Sequence, residues 1–277
     1  MEICSIILSA GKGSRMLSST PKPLHLISGK SMLQWVIDAN KSAGIQKSII
    51  VTPQEFNNVN IIKQNLLTVI QKKPIGTGDA VRKATSLLDD FEGAVIICFA
   101  DTPFITSKTL KKIKRSFKNG SKLVLTGFKK NKENKYGKII FDNKKNPYEI
   151  LEYKDTKRKN LNSNFCNGGI MAVRVPLLFD LLSKVENNNT KGEYYLTDIA
   201  GIAAEHGHKI DCAVIDPNEF IGVDSRRGQA RAEAALQARL RHAALDAGVT
   251  MQAPDTVFLA ADAVIERDVI IEPNVII

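Results

Sequence analysis

The chain has 277 residues, 43% of them hydrophobic and 25% charged, with a formal net charge of +10. That length allows one large α/β domain plus an appendage. No apolar run approaches the ~20 residues of a membrane span, and no charged segment precedes an apolar core at the N-terminus, so neither a membrane segment nor a signal peptide is expected and the reading is a cytoplasmic protein.

In chain order, Ile3–Leu8 is a short apolar run rich in β-branched residues and predicts a buried strand. It runs into Leu8-Ser9-Ala10-Gly11-Lys12-Gly13-Ser14-Arg15-Met16, with Pro21-Lys22 beyond. The small residues let backbone N–H groups approach a polyanion, and Arg15 and Lys22 add two cations. A dinucleotide fingerprint is excluded, because Met16 stands near where a third glycine belongs and the second strand ends at Val51-Thr52-Pro53 without an acid. A P-loop is excluded too: Gly29-Lys30-Ser31 has its tail, but Leu24 stands where its first glycine belongs. On glycines alone, an ordinary strand-to-helix turn remains open.

Met32–Lys41 and Gly78–Leu88 predict helices, and Lys47–Val51 and Ala94–Phe99 predict strands. This alternation argues a doubly wound, mostly parallel sheet, whose ligands bind beyond the carboxyl ends of the strands. Gln71-Lys72-Lys73-Pro74-Ile75-Gly76-Thr77-Gly78 suits a base reader, since an amide offers a donor and an acceptor, but a strand end followed by a helix cap at Thr77 explains it equally. Phe99-Ala100-Asp101 places a carboxylate just past a strand, either to hold a cation or to form an Asx turn.

From Lys122 to Val173 the pattern changes. Leu123–Phe128, Lys138–Phe141, Tyr148–Tyr153 and Gly169–Val173 are strand-like with polar turns between them, which predicts hairpins laid over the mouth of the sheet. Leu177–Leu182, Leu196–Glu205 and the long Ala/Arg-rich Gly228–Ala247 predict helices, the last a connector. In the tail, Leu259, Ile265, Ile271 and Ile277 recur every six residues, as do Phe258, Val264, Ile270 and Ile276. A period of six predicts the start of a parallel β-helix, although two ordinary strands would mimic it.

Lysines crowd Lys108–Lys159, yet no RNA-binding motif or aromatic interleaving accompanies them. A solvated surface that draws in anionic substrates is expected, and no nucleic-acid partner. Lysine stops at Lys209 and arginine takes over, for which the sequence offers no physical reason. Cys4, Cys98, Cys166 and Cys212 are widely spaced and read as free thiols, and the histidines do not sit with them at zinc-ligand spacing.

The string L-x-A-G-x-G-[ST]-R-M followed by P-K resembles the signature of sugar-1-phosphate nucleotidylyltransferases. With hexapeptide repeats last, the whole chain resembles the bacterial bifunctional N-acetylglucosamine-1-phosphate uridylyltransferase/glucosamine-1-phosphate acetyltransferase family. The resemblance implies a Rossmann-like, glycosyltransferase-A-like uridylyltransferase domain over 1–226, a linker helix over 227–247 and, over 248–277, the first coil of a left-handed β-helix, truncated. It implies UTP and N-acetylglucosamine 1-phosphate as substrates, Mg²⁺ as cofactor, and a role in peptidoglycan and lipopolysaccharide precursor synthesis. Acetyltransferase activity is expected to be absent. The family's homotrimer is expected to be weakened, or the chain monomeric.

The resemblance also implies site residues. Arg15 and Lys22 are the catalytic cations. Leu8, Ser9, Ala10, Gly11, Gln71, Gly76, Thr77, Phe99, Ala100 and Asp101 bind the nucleotide. Gly137, Glu152 (within Glu152-Tyr153-Lys154-Asp155), Asn167, Tyr195 and Thr197 lie at sugar positions, each otherwise readable as a turn or cap residue. Asp101 and Asp224 are the metal ligands. Asp224 stands where the family carries Asn, and Ala100 where it carries Gly. Another sugar or base (a cytidylyltransferase included) and a non-catalytic nucleotide-binding protein are the competing readings.

Overall fold

The structure is a computed structural model and describes residues 1–54, 56, 66–130, 134–153 and 163–277. Lys154 and Asp155 lie outside the described residues.

A mostly parallel sheet organises the chain. Strands β1 (Glu2–Leu8), β4 (Lys47–Thr52), β5 (Leu67–Ile70) and β6 (Gly93–Phe99) run parallel, with β1 between β4 and β6. Two short strands, β2 (Leu26–Ile27) and β3 (Lys30–Ser31), pair with each other before helix α1 (Met32–Ser42). The sheet then reverses: β10 (Phe165–Arg174) lies antiparallel between β6 and β7 (Leu123–Lys129), and β11 (Ile210–Val214) closes the edge parallel to β7. β1 is apolar along almost its full length because both of its faces are covered. Ile6, Leu8, Val95 and Ile97 pack toward α2 (Thr77–Thr85), α4 (Val175–Ser183) and α5 (Asp198–Glu205). Ile3, Ile7 and Ile96 face the opposite way, toward α1 and α3 (Ser107–Ser116).

The expected hairpins over the mouth need correction. Among the described residues only β8 (Lys138–Phe141) and β9 (Pro147–Leu151) form one, whereas β7 and β10 are strands of the central sheet. The cause lies in Asn167-Gly168-Gly169. The β7–β10 register shifts between Asn167 and Met171, so a polar, glycine-rich stretch enters the strand through a bulge before the apolar half begins.

Helix α6 (Arg226–Asp246) spans 21 residues and starts at Ser225, whose hydroxyl accepts from Gly228 N–H at 3.2 Å. It buries Ala232 and Leu236 against Ile27, Met32, Phe104 and Val223. Beyond it, β12 (Thr250–Met251) pairs parallel with β13 (Ile270–Ile271), and Phe258 bridges Ile276 in parallel. The six-residue spacing therefore has a spatial counterpart up to Ile271: Leu259 and Ile271 are buried with Ile265 against them, whereas Phe258, Val264, Ile270 and Ile276 face outward and Ile277 is exposed as well. Gln237 ties the tail to α6. Its amide N–H donates to Leu259 O and its carbonyl accepts from Leu259 N–H, both at 2.8 Å. The four cysteines are free. Among the described residues no helix is long and apolar enough to cross a membrane.

Candidate active site

The glycine loop leaves β1 at its carboxyl end, next to the end of β6, where Ala100 N–H donates to Leu8 O at 3.0 Å. Gly13 has φ +59°, and a Cβ there would meet Lys22 Cβ at 2.7 Å. Glycine is thus what lets the Lys22 stem cross the loop. Loop and strand ends enclose a cavity of about 480 Å³. Leu8, Ser9, Ala10, Gly11, Lys22, Gln71, Gly76, Thr77, Phe99, Ala100 and Asp101 all line it, so these expected nucleotide contacts gather in one place. Lys12, Pro23, Pro74, Ala80 and Glu193 line it as well and were missed. Lys12 was legible, standing between the two loop glycines. Nothing near Glu193 in the sequence ties it to the loop.

Arg15 and Asp224 stand outside that lining and pair with each other at 2.6 Å. Lys22 forms an ion pair and hydrogen bond with Asp101. Val223 N–H donates to Asp101 O at 2.9 Å, which brings the segment bearing Asp224 beside the end of β6. Among the described residues no group of three or more His, Cys, Asp or Glu is arranged to hold a metal ion. Two carboxylates still fit Mg²⁺, which keeps several waters and takes further oxygens from phosphates.

The base-reading segment is built more tightly than its sequence suggests. Gln71 is buried, and its amide donates to Asp79 Oδ2 at 2.7 Å and Gly76 O at 3.1 Å, so its carbonyl end is the part these bonds leave over. Gly76 has φ +125°, and a Cβ there would meet Tyr194 O at 2.3 Å and Tyr194 N at 2.5 Å. Tyr194 N–H donates to Ile75 O at 2.9 Å, and Gly78 N–H to Tyr194 O at 2.8 Å. The expected helix cap at Thr77 is corrected: no side chain caps α2, and the Thr77 hydroxyl accepts from Leu196 N–H at 3.0 Å. Thr77 thereby fixes the Gly192–Asp198 segment, and the Arg82 guanidinium, 4.5 Å from the Tyr194 ring, braces it from behind.

The expected sugar residues are less concentrated. Glu152 and Tyr195 line a second cavity of about 710 Å³, together with Glu149, Glu186 and Asp198. Thr197 sits at the N-cap position of α5 but makes no side-chain cap; its hydroxyl donates to Glu152 Oε1 at 3.2 Å. Gly137 lies against Leu151 O and Glu152. The Asn167 side-chain Oδ1 accepts from Gly169 N–H at 3.0 Å, which closes a local turn at the bulge.

A glycine loop at a strand end, with two cations and two carboxylates beside it, suits the chemistry of a nucleotidyltransferase. The MobA-like NTP transferase domain family matches residues 5–162, and the chain belongs to that family. It is also similar, along nearly its whole length, to curated proteins named Bifunctional protein GlmU. Identity is 37% over 276 residues with that of Hyphomonas neptunium, covering 98% of this chain and 60% of the relative. It is 39% over 265 residues with that of Maricaulis maris (95% and 59%), and 38% over 271 with that of Gluconobacter oxydans (98% and 60%). The chain spans about 60% of the length of these relatives.

Proposed function

We propose that the chain transfers a uridylyl group from UTP to N-acetylglucosamine 1-phosphate, giving UDP-N-acetylglucosamine and pyrophosphate. The observation that carries this reading is the convergence of Arg15, Lys22, Asp101 and Asp224 at the ends of β1 and β6, in a chain similar to GlmU proteins. A phosphate oxygen of the sugar phosphate attacks the α-phosphorus of UTP, a new P–O bond forms, the bond to the β-phosphate breaks, and pyrophosphate leaves. The attacking phosphate is already ionised near neutral pH, so no residue need act as base. Catalysis is then positioning and charge stabilisation. Arg15 and the loop amides hold the β- and γ-phosphates, and Lys22 stabilises charge at the α-phosphate. Gln71 and the Gly76 backbone bind the uracil edge. Glu152, Asn167, Tyr195 and Thr197, with Gly137, orient the sugar. Asp101 and Asp224 would hold Mg²⁺, which when bound supplies further neutralisation of phosphate charge.

The same reading divides the chain at 1–226, 227–247 and 248–277, with α6 as linker and the tail as a first β-helix coil. The parallel β12–β13 pair and the outward Phe258 series support it. The test is pyrophosphate release with UTP, Mg²⁺ and N-acetylglucosamine 1-phosphate, with glucose 1-phosphate and CTP as controls. Release confined to the first combination is the expected result. Equal release with glucose 1-phosphate or CTP would overturn the assigned sugar or base, and no release with any of them would overturn the reaction.

A further inference from the structure

The first turns of α6 reach back to the residues that carry both catalytic cations. Arg226 Nε donates to Met16 O at 3.1 Å, next to Arg15 in the short 3₁₀ turn Ser14–Met16. Arg226 Nη1 lies 3.2 Å from His25 Nδ1, and His25 directly follows the 3₁₀ turn Lys22–Leu24. The same Nη1 donates to Gln229 Oε1 at 3.2 Å, and Gln229 Nε2 donates in turn to Leu26 O at 3.0 Å. One guanidinium thus bridges the turn that holds Arg15 and the turn that holds Lys22. Two residues before it Asp224 meets Arg15, and one further back Val223 meets Asp101.

We infer that Arg226 is a positioning residue that fixes the spacing of Arg15 and Lys22 across a polyphosphate. The inference rests on the triphosphate-gripping role proposed above for those two cations. Arg15 needs such help. Its side chain is 72% exposed and its turn is a single 3₁₀ turn, so its direction is set by few packing contacts. The partners are a carbonyl and an imidazole nitrogen on separate turns. A planar fork spans two such acceptors, and an ammonium, with its charge at one point, does not reproduce that geometry. Ser225, capping α6, fixes where the fork starts.

The experiment compares wild type, Arg226→Lys, His25→Leu and the double variant. Arg226 is itself exposed and Arg226→Lys keeps the charge, so the variant is expected to fold with an unchanged melting temperature. Turnover in Arg226→Lys should fall on the order of 10²-fold, as for a misplacement of about 1 Å, while KM for the sugar phosphate stays near that of wild type. Calorimetric affinity for inorganic triphosphate should fall about tenfold or more, because both cations grip it. The double variant should be no worse than the worse single one, since both changes open the same clamp.

Wild-type turnover and triphosphate affinity preserved in Arg226→Lys would overturn the inference while leaving the proposed reaction intact. Multiplying effects in the double variant would also overturn it. Triphosphate binding that weakens in Arg226→Lys, in a wild type that turns over none of the sugar phosphates, would sustain the clamp and overturn the reaction. A wild type that neither binds triphosphate nor turns over would overturn both.

Discussion

The Arg15 guanidinium lies 2.6 Å from the Asp224 carboxylate, and Lys22 holds Asp101 in the same manner. Each cation proposed for the phosphates is thus paired with a carboxylate proposed for the metal. The arrangement neutralises four charges in and beside the cavity. It also joins the roles: a polyphosphate that draws the two cations to itself leaves both carboxylates without a counter-charge.

Arg15→Ala is expected to lower turnover by about 10²- to 10³-fold, the scale of losing one well-placed charge-stabilising donor. The melting temperature should hardly change, because the Arg15–Asp224 pair is exposed (72% and 42%) and such pairs contribute little to stability. Pyrophosphate release and a thermal melt on the same sample check both halves. An unchanged rate would remove Arg15 from the mechanism.

Magnesium affinity should depend on nucleotide. With Lys22 and Arg15 occupying the carboxylates, calorimetric titration of the nucleotide-free protein is expected to show weak magnesium binding. The same titration with UTP present should show much tighter binding. Equal affinity in the two titrations would mean that the ion pairs do not compete with the cation. Chelating the metal from a complete reaction should stop turnover and leave the protein folded, since the fold rests on the two packed faces of the sheet.

Much of this was legible in the chain. Ile3–Leu8 and Ala94–Phe99 were visible because a strand buried on both faces must be apolar at nearly every position. The glycine loop was visible because it combines a backbone requirement with fixed charges. Other elements were hidden for definable reasons. Helix α3 carries Lys108, Lys111, Lys112, Lys114 and Arg115, so it read as a run of charge, while its buried face rests on Leu110 and Ile113 and its start on the Thr106 cap. Strand β5 is mostly exposed and only four residues long. The site's outer supports were hidden differently. Thr77 to Leu196, Arg226 to Met16 and Val223 to Asp101 join residues some 120 to 210 positions apart, and isolated hydrogen bonds of that range leave no periodicity to read.

Gly76→Ala is expected to damage stability and nucleotide binding together. Its φ of +125° is unfavourable for any side chain, and the new methyl would enter the Tyr194 backbone. The strained conformation alone is worth about 1–3 kcal/mol, and displacement of Tyr194 adds to it. A lowered denaturation midpoint with weaker UTP binding is the expected pair of results. For the stability half Gly11→Ala is the control, because a Cβ there meets nothing within 4 Å; an equal fall in denaturation midpoint from both would refute the close approach at Tyr194.

His25 sets a pH dependence of stability. Burial, and then the Arg226 guanidinium beside it, hold its pKa below the ordinary value of 6.5. Below 6.5 the unfolded chain gains a proton that the folded one resists, so the unfolded state binds more protons and stability falls as pH falls. Above 6.5 both states are neutral at this position and the contribution is complete. The loss levels off once pH passes below the folded value. His25→Gln keeps a hydrogen-bond acceptor for Arg226 and does not titrate. Denaturation midpoints of the two proteins should therefore run parallel from pH 7 to 8 and converge, or cross, as wild type loses stability below 6.5. Midpoints that keep a constant separation down to about pH 5 would show that the imidazole is not held neutral.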